Sequence, residues 1–263
     1  MGKIFKRKGL LIPVILVLLI GLVSCRNGSR DDGDYSGKGN GQHFFIADVI
    51  EANGGLLIAP DKDSSEALSA DRIMASVGEA EITDSKGNAV SLDMLEPGDR
   101  IKVTYDGLIA ESYPAQIKAS RIEVLGRNNV IDGFLSLIDD IYQADSGLNG
   151  NISIIAFDTS EWAMLTEVET EIILDTVGEK YGFEVVVGTF DELAGQGLID
   201  KENLFFEDGI LITIADIEIN KDKDVIECSI EKWRSGLGAV GWDAKAKLKK
   251  GSWRIIRKNM WIS

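Results

Sequence analysis

Histidine is nearly absent from this sequence, with His43 the single one among 263 residues. A zinc site built from several histidines is therefore excluded. The sequence also has no His-Glu-x-x-His metalloprotease motif, no Gly-x-Ser-x-Gly nucleophile motif and no phosphate-binding loop. We therefore predict no metal site, no cofactor and no catalytic residue.

Cysteine is scarce as well, because Cys25 and Cys228 are the only two. If Cys25 carries a lipid, as argued below, Cys228 has no partner for a disulfide. Cys228 lies in an alternating apolar stretch, and His43 is far away in sequence. We expect it to be a small buried side chain with no reactive thiol chemistry. Stability then has to come from apolar cores.

Positive charge is in deficit. The 28 lysines and arginines face 43 aspartates and glutamates, a net charge of −15. Nucleic acid requires a basic footprint, so it is not expected as a partner. The acidic surface is expected to keep the protein soluble. The stretch from Lys232 to the end is an exception, with nine basic residues and one acid.

A long apolar run occurs at residues 10–23, behind a basic start. It is shorter than the roughly 20 residues that a spanning helix needs, and its position is typical of a secretory signal. Leu-Val-Ser-Cys at residues 22–25 resembles the bacterial lipobox, in which lipid is attached to the cysteine sulphur and cleavage leaves that cysteine as the N-terminus. The resemblance implies a signal peptide over residues 1–24, a lipid on Cys25, and a place on the extracellular face of the cell membrane.

Two segments follow the lipobox. Residues 25–42 are rich in Gly, Asp and Ser, which predicts a flexible tether. Residues 43–126 alternate between apolar and polar positions and contain turn signals such as Asn53-Gly54-Gly55, with one helical turn at Ser91–Leu95. Five or six short strands in about 85 residues predict a small closed β-barrel of the OB type.

Two stretches of residues 43–126 resemble a known family. They are Leu95–Val103 (Leu-Glu-Pro-Gly-Asp-Arg-Ile-Lys-Val) and Ile109–Ile117 (Ile-Ala-Glu-Ser-Tyr-Pro-Ala-Gln-Ile). The family consists of small domains in lipoproteins of Gram-positive bacteria and is catalogued as a domain of unknown function. The resemblance implies an OB-like barrel on a lipid-anchored protein and brings no catalytic residues. Because OB-type barrels bind ligands along adjoining loops, a binding role is predicted for one loop: Glu111, Ser112 and Tyr113.

In the rest of the chain, the spacing of apolar residues changes from that of strands alone to that of helices and strands. Residues 126–129 are predicted to be an interdomain link, and residues 130–263 an α+β domain. A capping box beginning at Thr166 opens a helix that ends at Gly182, and an antiparallel meander follows from Gly209 onward. Residues 236–241 (Gly-Leu-Gly-Ala-Val-Gly) match a dinucleotide-binding pattern, but they lie among strands, so a bend between strands is expected.

All five tryptophans fall in the second domain. Trp242 and Trp253 alternate with charged residues and are expected to face the core. Trp233, beside Arg234, and Trp261 lie at strand ends and are expected to line an opening. Opposite Trp242 the alternation predicts a basic strip, which is either a solvated face or a site for an anionic wall polymer or a protein partner: Lys245, Lys247 and Lys249.

These patterns favour a lipid-anchored extracellular protein that binds a partner or ligand without a cofactor. Two alternatives stay open. A carboxylate-dependent hydrolase acting on envelope polymers would show a deep cleft with two converging acids. An assembly factor for envelope proteins would show a large exposed apolar patch.

Overall fold

The computed structural model describes residues 36–39 and 42–263. The predicted signal peptide, the lipidation site Cys25 and most of the predicted tether lie outside these residues. None of the helices in the described part is both long and apolar enough to cross a membrane. The described chain is mainly β and forms two sheets, one before and one after Asn128.

The first sheet has seven strands. They are β1 (Ser36–Gly39), β2 (Gln42–Glu51), β3 (Leu56–Pro60), β4 (Ile73–Ser76), β5 (Glu81–Asp84), β6 (Asp99–Tyr105) and β7 (Ala115–Arg127). Strands β2, β3, β4, β7 and β6 pair in that order and close into a five-stranded barrel, because β6 pairs with β2 as well as with β7. Strand β4 runs parallel to β7, and β1 and β5 extend the sheet beyond the ring.

Alternation explains why these segments form a barrel. In β6 the side chains of Ile101, Val103 and Tyr105 are buried, whereas the residues between them are half-exposed. Strand side chains point to opposite faces in turn, so one face of each strand fills the barrel interior. The predicted small closed barrel is confirmed.

The second sheet has six strands. They are β8 (Ile154–Asp158), β9 (Glu184–Val187), β10 (Gly209–Ile219), β11 (Val225–Ser235), β12 (Gly238–Lys249) and β13 (Ser252–Ile262). Their order across the sheet is β13-β12-β11-β10-β8-β9. Strands β9, β8 and β10 are parallel, and β10 to β13 form the predicted antiparallel meander.

Three helices flank this sheet: α1 (Asn129–Gln143), α2 (Glu167–Tyr181) and α3 (Phe190–Gly195). Helices α1 and α2 cover the face that carries Ile212, Ile230 and Trp242, and this is the main core of the second unit. Helix α3 and the segment after it cover part of the opposite face and pack against β8, β9 and β10. The predicted α+β architecture is confirmed.

The predicted helix ends are also confirmed for α2. Thr166 accepts a hydrogen bond from the backbone N–H of Glu169, and the Glu169 side chain accepts one from the backbone N–H of Thr166, which makes a complete capping box. Gly182 ends the helix with a φ of 71°, a left-handed conformation that favours glycine. Residues 236 and 237 form the turn between β11 and β12, as expected from the absence of a helical pattern there.

Two segment boundaries differ from the prediction. Ser36–Gly39, assigned to the flexible tether, pair with the start of β2, since a polar segment can still join a sheet edge through its backbone. The predicted interdomain link at residues 126–129 contains no loop. Gly126 and Arg127 belong to β7, and Asn128 is the N-cap of α1, so the barrel runs into the second unit without a loop.

Side-chain contacts fasten the two units together. The guanidinium of Arg72 binds both carboxylate oxygens of Glu171 on α2, at 3.0 and 2.5 Å. Ala59 and Ile50 of the barrel pack against the main core of the second unit. The surfaces that face each other across this junction therefore hold a fixed geometry.

Candidate functional site

A cleft of about 350 Å³ lies between the barrel and the second unit. The barrel contributes β2, the end of β3 with the loop after it, and Arg100 of β6. The second unit contributes the start of α1, the start of α2 and the turn between β10 and β11. A volume of this size is within the range of roughly 300–1,000 Å³ found for small-molecule sites.

Carboxylates and one arginine form the floor of the cleft. Asp48 is only 8% exposed, and its Oδ1 lies 3.3 Å from Nη1 of Arg100. Arg100 also donates to Oδ2 of Asp61. Burial raises the pKa of Asp48 above its usual value, even though the charge of Arg100 acts in the opposite direction. The floor thus contains a carboxyl group that resists ionisation.

Asn128 is the central polar group of the junction. Its Oδ1 accepts hydrogen bonds from the backbone N–H groups of Val130 and Ile131, as an N-cap side chain does. Its Nδ2 donates to Oδ2 of Asp48 at 2.9 Å and to Oε1 of Glu169 at 3.0 Å. One buried amide therefore joins the barrel, α1 and α2, and places two carboxylates on either side of itself.

The rim of the cleft differs from its floor. Lys62, Lys221 and Lys223 line it, and their side chains make no ion pair within the described residues. Met164, 41% exposed, and Val168 provide an apolar wall. The floor carboxylates are occupied by Arg100 and Asn128, so the unpaired charge that faces the opening is mainly positive.

The predicted loop of Glu111, Ser112 and Tyr113 lies elsewhere, between β6 and β7. Tyr113 is 71% exposed, and its hydroxyl donates to Oδ2 of Asp71 at 3.3 Å. The Ser112 hydroxyl donates to the carbonyl of Pro114 at 2.7 Å. None of the three residues lines the cleft.

The predicted site residues of the second unit do not line the cleft either, and they lie apart from the loop of residues 111–113. The Trp233 ring packs edge-on against Phe190 of α3, with ring centroids 5.1 Å apart. Arg234 donates to three backbone carbonyls, so its charge has a structural role. Lys245 pairs with Glu227 of β11, and the strip continues along β12 toward its end: Lys247 and Lys249.

The placement of the other tryptophans agrees with the alternation. Trp242 is 2% exposed, and Trp253 packs against the same core, so the prediction for both is confirmed. Trp261 is 42% exposed on the face opposite Trp242. Cys228 is buried, and burial raises the pKa of its thiol to about 12, which confirms the expected small buried side chain.

Sequence reasoning missed the cleft residues Asp48, Arg100 and Glu169. It also missed the buried Asn128, which hydrogen-bonds Asp48 and Glu169. Asp48 and Arg100 occupy outward positions of barrel strands, where charged residues normally face water. Only the presence of the second unit covers them. Within residues 36–39 and 42–263, no group of three histidine, cysteine or carboxylate side chains is arranged to hold a metal ion.

The fold defines a two-unit architecture, in which a small barrel is joined without a loop to an α+β unit and a cleft lies between the two. Residues 45–126 match the model of a family described as "Protein of unknown function (DUF3221)". This match covers the barrel and stops before α1, and it confirms the expected domain of unknown function. No curated protein matches the chain.

Proposed function

We propose that this chain is a lipid-anchored protein of the extracellular face that binds a small ligand in the cleft between its two units. The anchor rests on the basic start, the apolar run and the Leu-Val-Ser-Cys junction at Cys25. The observation that carries the binding role is the preformed cleft, whose floor charges are already satisfied by Arg100 and Asn128. Carboxylates that already have partners inside the protein can shape a binding site without taking part in a reaction.

We also propose that the barrel is of the OB type. In chain order the five strands of the ring are β2, β3, β4, β6 and β7. The first, β2, pairs with β3 and β6, and the third, β4, runs parallel to the last, β7. A five-stranded barrel with this kind of connectivity supports ligand binding at its face and loops. In this chain the second unit covers one side of β2 and β3, which moves the concave site to the junction.

The rim favours a ligand with an anionic group. Three lysines that form no ion pair within the described residues line the opening, together with the acid Asp63: Lys62, Lys221 and Lys223. An anionic group placed among them gains attraction, and an apolar part of the ligand can pack against Met164 and Val168. Small organic phosphates and carboxylates supply the anionic group.

Glycerol phosphate titration tests the cleft. Addition to the full chain should shift backbone N–H resonances of residues 62 and 221–223, and the double variant K221E/K223E should weaken binding at least about tenfold, since two attractive charges become repulsive. The matched control is K250E at an exposed turn, with an unchanged affinity expected. Equal affinities of the wild type and K221E/K223E would contradict the proposal.

Cell fractionation tests the anchor separately. Cys25→Ala removes the sulphur that would carry the lipid, so the protein should move from the membrane fraction to the soluble fraction. Cys228→Ala, which changes a buried thiol, should leave the distribution unchanged. Retention of the Cys25→Ala variant in the membrane would refute lipid anchoring.

A second candidate function, a carboxylate-dependent hydrolase, is favoured by one observation. Asp48 and Glu169 converge on the same amide, and burial raises the pKa of Asp48, as a general acid requires. Under this hypothesis Asp48→Asn should abolish release of soluble fragments from purified cell wall, with a loss of about 10²-fold or more. If the wild type and the variant both release negligible amounts of soluble fragments, the hydrolase hypothesis is contradicted and ligand binding stays the proposed function.

A further inference from the structure

The open face of the second sheet carries a feature that the cleft does not use. It lies on the side opposite α1 and α2, beyond the part that α3 covers. Four residues stand directly opposite one another across β10, β11, β12 and β13 in a single row: Thr213, Glu231, Gly241 and Trp261. Directly opposite residues of antiparallel strands have Cα atoms about 4.5–5.5 Å apart, so the row brings distant sequence positions together.

Gly241 allows the Trp261 ring to lie on the sheet. A Cβ atom at Gly241 would come within 2.7 Å of Cζ2 of Trp261 and within 2.9 Å of the backbone oxygen of Ile230. The oxygen belongs to the neighbouring strand and cannot move aside. The indole therefore covers bare backbone at position 241 and extends toward Glu231, while 42% of Trp261 stays exposed.

Glu231 is the unusual polar group of this row. It is half-buried, and its carboxylate makes no hydrogen bond or ion pair within the described residues. Burial raises its pKa. Removing a carboxylate from water without giving it a donor is unfavourable, and such a group calls for an explanation.

The cations of the same face do not serve Glu231. Lys245 pairs with Glu227, which lies on the same strand and the same face as Glu231 but nearer the β10–β11 turn. The hydrogen bond from Lys245 lowers the pKa of Glu227, and the charges of Lys258 and Lys247 act in the same direction. The next residues along the strand on this face are Ser229 and Trp233, and neither carries a positive charge. The Ser229 hydroxyl, next along the strand on this face, lies 3.2 Å from a carboxylate oxygen of Asp216.

We propose that Trp261 and Glu231 form a binding site for a primary alkylammonium group, supplied by a small amine or a lysine side chain. The exposed indole attracts a cation through the negative charge of its ring face. The Glu231 carboxylate provides the opposite charge and the hydrogen-bond acceptors. A primary ammonium brings the N–H donors that Glu231 lacks, whereas a quaternary ammonium brings charge without donors. The site is separate from the cleft, so either can fail without the other.

Indole resonances provide a direct test. The full chain, labelled with ¹⁵N at its five tryptophans and held in a nonionic polyoxyethylene detergent, is titrated with n-butylammonium chloride against sodium chloride of equal ionic strength. The Trp261 indole N–H, assigned by its loss in W261F, should shift and saturate while the others stay in place. Tetramethylammonium should bind more weakly than n-butylammonium.

Substitutions separate recognition from folding. Glu231→Gln should weaken n-butylammonium binding at least about tenfold, because a neutral amide leaves the ammonium without its counter-charge. The matched control is Glu227→Gln on the same strand face, for which we expect an unchanged affinity. Trp261→Leu should abolish binding, and the four remaining indole resonances show whether the sheet is intact.

Three outcomes would overturn the site. The first is a Trp261 resonance that stays unshifted up to about 0.1 M n-butylammonium, a concentration that covers millimolar affinities. The second is an equal affinity of the wild type and Glu231→Gln for n-butylammonium. The third is a Trp261 shift that N-acetylglucosamine produces and the amine does not. The last result would identify a sugar-stacking platform in place of an ammonium site. Glutamine has nearly the same size as glutamate, so Glu231→Gln is expected to fold. Its affinity for n-butylammonium therefore tests the site even if the Trp261→Leu variant unfolds.

Discussion

At the scale of single residues, Lys232 shows how far a side chain can depart from what its type suggests. It is 0% exposed, although lysine is among the residues least often buried. Its Nζ binds the carbonyls of Tyr142, Ala144 and Asp145 and the Oδ1 of Asn149. Burial lowers the pKa of Lys232 to about 8, and the charge of Asp145 opposes this shift. The amino group fastens the end of α1 to β11.

Replacing Lys232 by methionine should therefore destabilise the chain strongly. Methionine keeps the apolar stem but removes every donor, so buried carbonyl oxygens lose their partner, at a cost of about 3 kcal/mol. Urea unfolding followed by circular dichroism measures this change in the free energy of unfolding. Lys250→Met, in the exposed turn before β13, should change it by less than about 0.5 kcal/mol. Similar losses in both variants would show that the four oxygens do not depend on Lys232.

At the scale of elements, the start of α2 links local stability to the cleft. The Thr166 hydroxyl and the Glu169 carboxylate cap each other's backbone N–H groups, and Glu169 also accepts from Asn128. Thr166→Ala should lower the free energy of unfolding by about 1 kcal/mol, the usual value of an N-cap side chain. Thr166→Ser keeps the oxygen and should stay close to the wild type. A serine variant as unstable as the alanine variant would assign the loss to the threonine methyl group.

Most elements could be predicted because each one carries its own period. Strand β6 alternates over Asp99–Tyr105, and α2 shows both its capping box and its terminal Gly182. Strand β1 could not be predicted, since its Ser-Gly-Lys-Gly sequence has no apolar alternation. The order of β8 between β9 and β10 was also hidden, because no local pattern encodes which strands become neighbours.

The candidate site was beyond sequence reasoning for a related reason. Asn128 meets Asp48 from 80 positions away and Glu169 from 41 positions away. Each of these residues is ordinary in its own segment: a polar strand position, a helix cap and a half-buried carboxylate in the first turn of a helix. The cleft exists only because the two units dock, and docking depends on surfaces that a single sequence does not mark.

At the scale of the whole molecule, the junction should make the two units unfold together. Arg72 and Glu171 form a two-point ion pair across it, and both side chains are largely shielded from water, at 18% and 22% exposed. Asn128 adds a buried polar link. Differential scanning calorimetry of the wild type should therefore show one transition, because neither unit can open without breaking these contacts.

The double variant Arg72→Met/Asn128→Ala should divide that transition into two. It removes the ion pair and the amide bridge while keeping both cores. Lys118→Met, which removes an exposed ion pair with Glu79 on the barrel, is the control and should keep a single transition. One undivided transition in the double variant would show that apolar packing around Ala59 suffices to couple the units.

The short strand β1 has a mechanical consequence if the protein is held through a lipid on Cys25, as proposed above. Its antiparallel register places Ser36 opposite Phe45 and Gly39 opposite Gln42. A pull from the N-terminal side would act first on the Ser36 end of β1. The backbone hydrogen bonds between β1 and β2 would then break one after another, from Ser36 toward Gly39. Opening residues 36–42 would release about 24 Å of extended chain. Strand β1 would thus detach under small loads, before the strands of the barrel ring separate from one another.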